Sequence, residues 1–308
     1  MCIPMPADGF VVESVGTTIG PGEDVQYCEI LTLPGAPTDS IYVARVDGRM
    51  TPYSHHLNVM AVAPGSPADQ ATTPGQRIQC LNNGRTPFGS GLHQIFGSVS
   101  PEHSLVLPDG IGLKLQGGQK VIFDYHYFNA SPDPVPAKAA LAFHVSDAAH
   151  VRREIRRFGL YNTGFSVPAG QSASFTAECT MAEDVQVVSL MRHTHRWGHD
   201  FNVWHAGGTA DGTPVFTSHD YESDIYYAPP PFVLKQGEGF RFECQFQNTT
   251  DHPLAFGELA TDEMCILYGQ LTSTKDGVQA LPEDCIILSS SAGQVAQGFA
   301  CTQCPDGE

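Results

Sequence analysis

The chain has 308 residues, 41% of them hydrophobic and only 16% charged, which excludes a disordered chain and leaves room for two ordinary domains or one large β domain. Sixteen basic against 33 acidic residues give a net charge of −17, a surface that repels nucleic acid and anionic lipid. No run of about 18 apolar residues occurs, so no membrane-spanning helix is expected.

The opening, MCIPMPADGF, has neither a basic n-region nor an apolar h-region. That leaves a cytosolic protein or one whose signal has been removed, and the cysteines favour the second. Nine are spread mostly singly along the chain: Cys2, Cys28, Cys80, Cys179, Cys244, Cys265, Cys285, Cys301 and Cys304. Isolated cysteines in a β-rich chain point to disulfides and an oxidising compartment, and an odd total leaves at least one unpaired. The expected location is secreted, periplasmic or the lumen of the secretory pathway.

Apolar and β-branched runs then recur in order: DSIYVARVD, HHLNVMAV, QKVIFDYHYFN, AALAFHVSD, ASFTAECT, VQVVSLMRHTH, HDFNVWHA, GFRFECQFQN and EMCILYGQL. Turn signals such as LPDGIG, QGGQ, SPDPVP, VPAGQ and KQGEG separate them. This spacing predicts an all-β chain of antiparallel sandwiches. VRREIRRFGL, Val151 to Leu160, is the nearest approach to a helical pattern and the most basic stretch. A domain boundary is placed there, giving sandwiches over 1–152 and 153–290 and a polar tail over 291–308. CTQC in that tail lacks a following His, which excludes c-type haem attachment. Two sequons, at Asn129 and Asn248, are candidate glycosylation sites in a eukaryotic secretory host, the first weakened by Pro132.

Three histidine motifs carry candidate chemistry. In RHTHRWG, His193 and His195 stand two apart, and such residues share one face of a strand. His199 falls on the same alternation, as an accessory ligand or a surface residue. In SHHLNVM, His55 and His56 are adjacent, so both reach one metal only where the strand bends or ends; TPYS before them is a plausible bend. His126 lies in the apolar run VIFDYHYFN, where a core histidine is the ordinary reading. Met264, in TDEMCILY, is core filler or a soft thioether ligand, which selects copper over zinc or magnesium. HExxH is absent, and a zinc hydrolase is disfavoured.

In that order, SHHLNVM, FDYHYFN, RHTHRWG and TDEMCILY resemble the copper type II, ascorbate-dependent monooxygenases, whose members include peptidylglycine α-hydroxylating and dopamine β-monooxygenases. The resemblance runs from about Cys28 to Cys285. It implies two antiparallel, jelly-roll-like β-sandwich domains facing across a cleft, with two coppers per chain. His55, His56 and His126 would hold the electron-transfer copper, and His193, His195 and Met264 the oxygen-activating one. Disulfides Cys28–Cys80, Cys179–Cys285 and Cys244–Cys265 are implied in the same way. The implied activity is hydroxylation of an aliphatic C–H bond in a small molecule, using O2 and ascorbate. Tyr268 matches a substrate-holding tyrosine of the peptide-hydroxylating members. Their Arg before the HTH and Asn after the Met are replaced by Met191 and Ile266, so a more apolar substrate is expected and peptide amidation is not. The alternatives are a non-catalytic copper carrier and a surface ligand-binding module.

Overall fold

The computed structural model describes residues 3–80, 88–219, 226–227, 231–257, 261–277, 285–290 and 295–298. The chain is all-β and divides into two compact units, Met1–Glu154 and Ile155–Glu308. Among the described residues no helix is long and apolar enough to cross a membrane.

The first unit is a sandwich. Its five-stranded sheet runs Arg77–Gln79, Asp24–Thr32, Lys120–Phe128, Ser54–Val62 and Leu92–Ser98, all neighbours antiparallel. The facing sheet is built from Gly9–Glu13, Ala139–Val145, Ser40–Met50 and Ile111–Gln116. Period-2 alternation turns one side of each strand inward. Close approach of the sheets is visible at Gly48, where a Cβ would lie 2.4 Å from the ring of Phe96. The disulfide Cys28–Cys80 staples the edge of the five-stranded sheet.

The second unit repeats the plan. Pro214–Ser218, Gly198–Ala206, Gly239–Gln247, Ser172–Met181 and Cys285–Ser290 form one sheet. Arg153–Asn162, Ile266–Ser273 and Val185–His193 form the centre of the other. Phe158, Leu160, Leu267 and Leu190 face Phe240, Phe242 and Phe246 in the core between them. VRREIRRFGL is therefore a strand and not a helix. Its inward Phe158 and Leu160 set a period of two, and the scattered arginines do not enter that count. Of the expected tail, Val295–Gly298 pairs with that same strand, and the other tail residues lie outside the described set, with Cys2, Cys301 and Cys304.

Cys244–Cys265 forms as expected. Cys179 is buried and has no disulfide partner among the described residues, and the side chain of its expected partner Cys285 lies outside them.

Asn129 and Asn248 are fully buried, which argues against glycosylation at either sequon. Each side-chain oxygen accepts from the N–H and hydroxyl two residues on, at Ser131 and Thr250. Each amide nitrogen donates to backbone carbonyls: Ile19 and Asp133 for Asn129; Val167, Pro168 and His252 for Asn248. Both are turn pins at matching places in the two units.

The strand register matches as well. In the first unit His56 lies opposite His126 and Ser54 opposite Tyr127, so His55 is an extra, bulged residue. In the second, Asp200 lies opposite Gln245 and Gly198 opposite Phe246, so His199 is the extra residue.

Candidate metal centres

The bulge at His55 answers the problem posed by adjacent histidines. In a regular strand, neighbours point to opposite faces; an extra residue re-aims one side chain. Tyr53, in the turn before it, has φ of 70°, a left-handed conformation rare outside glycine. The result is that His55, His56 and His126 bring ligand atoms within 4.8 Å of one another. The Nδ1 atoms of His55 and His56 are 3.1 Å apart. That is about the spacing of two ligand atoms on one first-row ion with bonds near 2 Å. Three imidazoles at this spacing fit copper.

The outer nitrogen of His126 is held. His126 Nε2 meets the carboxylate of Asp24, which leaves Nδ1 for a ligand role. His56 Nε2 lies 3.4 Å from the amide nitrogen of Gln26, which donates to Asp124 at 2.8 Å. Burial raises the Asp124 carboxyl to about 6, against the Gln26 hydrogen bond and the His126 charge. Such partners fix ring orientation and ligand basicity. None of Asp24, Gln26 or Asp124 stood out in the sequence; only their alternation on strands flanking Cys28 and His126 hinted at them.

At the HTH motif the strand Val185–His193 ends on the first histidine, and His195 lies in the turn beyond it. The two rings are nevertheless close, with centroids 5.4 Å apart. The pleat does not hold His195. Its Nδ1 contacts the Asp262 carbonyl at 2.9 Å, which makes Nδ1–H the donor and frees Nε2. Its backbone N–H donates to Glu263 Oε2 at 2.9 Å. The same oxygen accepts from Met264 N–H at 3.1 Å, and Oε1 accepts from Trp197 N–H at 2.7 Å. Burial pushes the Glu263 carboxyl up to about 7, opposed by these N–H groups. Burial, with the His195 and Arg192 charges, holds His193 neutral down to about 3, the form a metal needs. Two imidazoles and a thioether are a donor set suited to copper, and the Met264 backbone is fixed to the same carboxylate as that of His195. His199 begins the next strand, is exposed, and pairs with Asp200 at 3.0 Å.

The expected substrate residues share the His193 face of the sheet. Met191 lies opposite Tyr268 and His193 opposite Ile266. One strand further, Gly159 lies opposite Tyr268 and Tyr161 opposite Ile266. Tyr161 escaped the sequence reading. Its hydroxyl lies 3.1 Å from that of Tyr268, whose ring is 5.9 Å from His193. Phe256 adds an edge contact to Tyr161 at 6.5 Å.

Residues 154–271 match the family model described as copper type II ascorbate-dependent monooxygenase, C-terminal domain. Over that stretch the resemblance carried by the HTH and EMC motifs is borne out, and with it the link to an oxidoreductase family that uses copper and ascorbate. No curated protein matches the chain. Among solved structures, tripeptidyl peptidase 2 (TPP II) aligns at 11% identity and a TM-score of 0.23, over 97% of this chain and 27% of its own. The structure of infectious bursal disease virus Gx strain aligns at 11% identity and 0.11, over 93% and 71%. Likenesses this slight carry no argument.

Proposed function

We propose that this chain is a dicopper monooxygenase that hydroxylates an aliphatic C–H bond of a small, fairly apolar substrate, with O2 and a reductant such as ascorbate. The observation that carries this reading is the His193–His195 pair, with the His195 backbone tied to that of Met264 through one carboxylate, inside the stretch that matches the monooxygenase family. His55, His56 and His126 are a second donor set of the right chemistry for an electron-transfer copper. When bound, copper supplies one-electron redox chemistry and the activation of oxygen.

The chain's own residues do the rest. Asp262 and Glu263 orient His195, and Asp24 orients His126. Met191 and Phe256 offer apolar surface with the buried Ile266 behind the site, and Tyr268 with Tyr161 offers hydroxyls to a polar group of the substrate. In the balanced reaction one oxygen atom enters the C–H bond and the other leaves as water. Two protons are taken up, and the reductant gives up two electrons. The two disulfides support an oxidising location: secreted, periplasmic or secretory-lumen.

The test is copper-loaded protein with ascorbate and O2, screened against a metabolite panel by mass spectrometry for products heavier by one oxygen. Met264→Ala is expected to abolish turnover while the first unit keeps its copper. Full activity in that variant removes Met264 from the site. Bound copper without ascorbate-driven oxygen uptake on any substrate points instead to a copper carrier.

A further inference from the structure

The antiparallel pairing between Val185–His193 and Ile266–Ser273 has its last rung at His193 and Ile266. Beyond that rung both chains leave the sheet. His195 and Met264 lie there, so the ladder that places His193 does not place them. Their backbones are joined by the side chain of Glu263, next to the Asp262 carbonyl that takes the His195 ring.

This carboxylate has no solvent exposure. A buried carboxylate persists only where hydrogen bonds compensate its lost water. Here the donors are peptide N–H groups of two segments more than 60 residues apart in sequence: His195 and Trp197 on one side, Met264 on the other. Oε2 serves His195 and Met264 together. The Glu263 backbone is anchored too, its N–H donating to Ala255 and its carbonyl accepting from Gly257. A neutral amide cannot reproduce the arrangement, because its NH2 would face an N–H donor. A shorter acid withdraws both oxygens from at least one partner.

We propose that Glu263 is the positioning residue of the second metal site, setting the His195 imidazole and the Met264 thioether relative to each other where the sheet no longer does. The inference rests on the copper reading of His193, His195 and Met264. Substitution of such partners typically weakens metal binding about 10- to 100-fold. The loss is expected at the second site alone.

The test uses the full chain loaded anaerobically with Cu(I), comparing the unsubstituted protein, Glu263→Gln, Glu263→Asp and Met264→Ala. X-ray absorption at the copper edge reads sulfur bound to the metal. Competition with a Cu(I) chelator reads the affinity of each site, and thermal melting of the metal-free protein reads stability. Expected are a sulfur contribution in the unsubstituted protein, none in Met264→Ala, and strong loss in Glu263→Gln. Glu263→Asp should lose part of it, and His55/His56/His126 affinity should stay unchanged throughout. A merely structural role lowers the melting temperature and leaves sulfur coordination intact in the folded protein. That result, in whichever of the Gln and Asp variants folds, overturns the proposal. Absence of copper–sulfur scattering in the unsubstituted protein overturns the Met264 ligand reading itself, and the inference with it.

Discussion

Tyr161 and Tyr268 meet through their hydroxyls, 3.1 Å apart, with their rings at 89° over the backbone of Gly159. A Cβ on Gly159 would lie 2.8 Å from the Tyr161 ring and 2.9 Å from the Tyr268 ring. Gly159→Ala is expected to cost about 1–3 kcal/mol through overpacking. Tyr161→Phe removes one hydrogen bond and should cost about 0.5–1.5 kcal/mol. Urea denaturation measures both. An alanine variant as stable as the parent would mean that the two rings do not depend on the glycine.

Asp24 holds the outer nitrogen of His126 but is itself largely exposed. Asp24→Asn keeps the shape and removes the charge. Copper affinity at the three-histidine site should fall about tenfold, the low end for such partners, because solvent screens the carboxylate. Chelator competition at high and low salt checks this. Unchanged affinity at both would show that Asp24 leaves the ligand unaffected.

Tyr53 holds a positive φ two residues before His55. Glycine adopts that conformation freely, whereas proline is locked near −65°. Tyr53→Gly should therefore fold and bind copper at the first site as well as the parent. Tyr53→Pro should lose that binding and about 3 kcal/mol of stability. Equal copper binding by the two would separate the left-handed turn from the placement of His55.

The bridge Cys244–Cys265 closes a loop with a sequence separation of 21, and Cys265 directly follows Met264. Replacing both cysteines by alanine should remove about 2–4 kcal/mol. Calorimetry measures the loss. A double variant that melts with the parent would leave the bridge without a part in holding this segment.

Much of the architecture was legible because alternation survives in strands such as Ser54–Val62 and Lys120–Phe128. VRREIRRFGL misled, since charges on both faces, Arg153 and Arg157 on one and Glu154 and Arg156 on the other, mask the inward pair Phe158 and Leu160. The histidine motifs were legible as motifs, but their placement was not. His55 depends on a bulge and His195 on a side chain 68 residues away. Glu263 reads in sequence as one acid in a polar turn, and Tyr161 as one strand tyrosine among several. Only long-range pairing brings them to the site. The Asn129 and Asn248 sequons stayed undecided for a related reason: a tripeptide pattern carries no information about burial.

The matching bulges at His55 and His199, with the matching pins at Asn129 and Asn248, show the two units built to one local plan. The first unit fills its bulge with His56 and His126; the second has Asp200 and Gln245 at those positions and carries its HTH motif on the other sheet. The second unit thus carries the bulge without two of the three imidazoles. Asp200→His and Gln245→His together would place three histidines at the register positions that the first unit's cluster occupies.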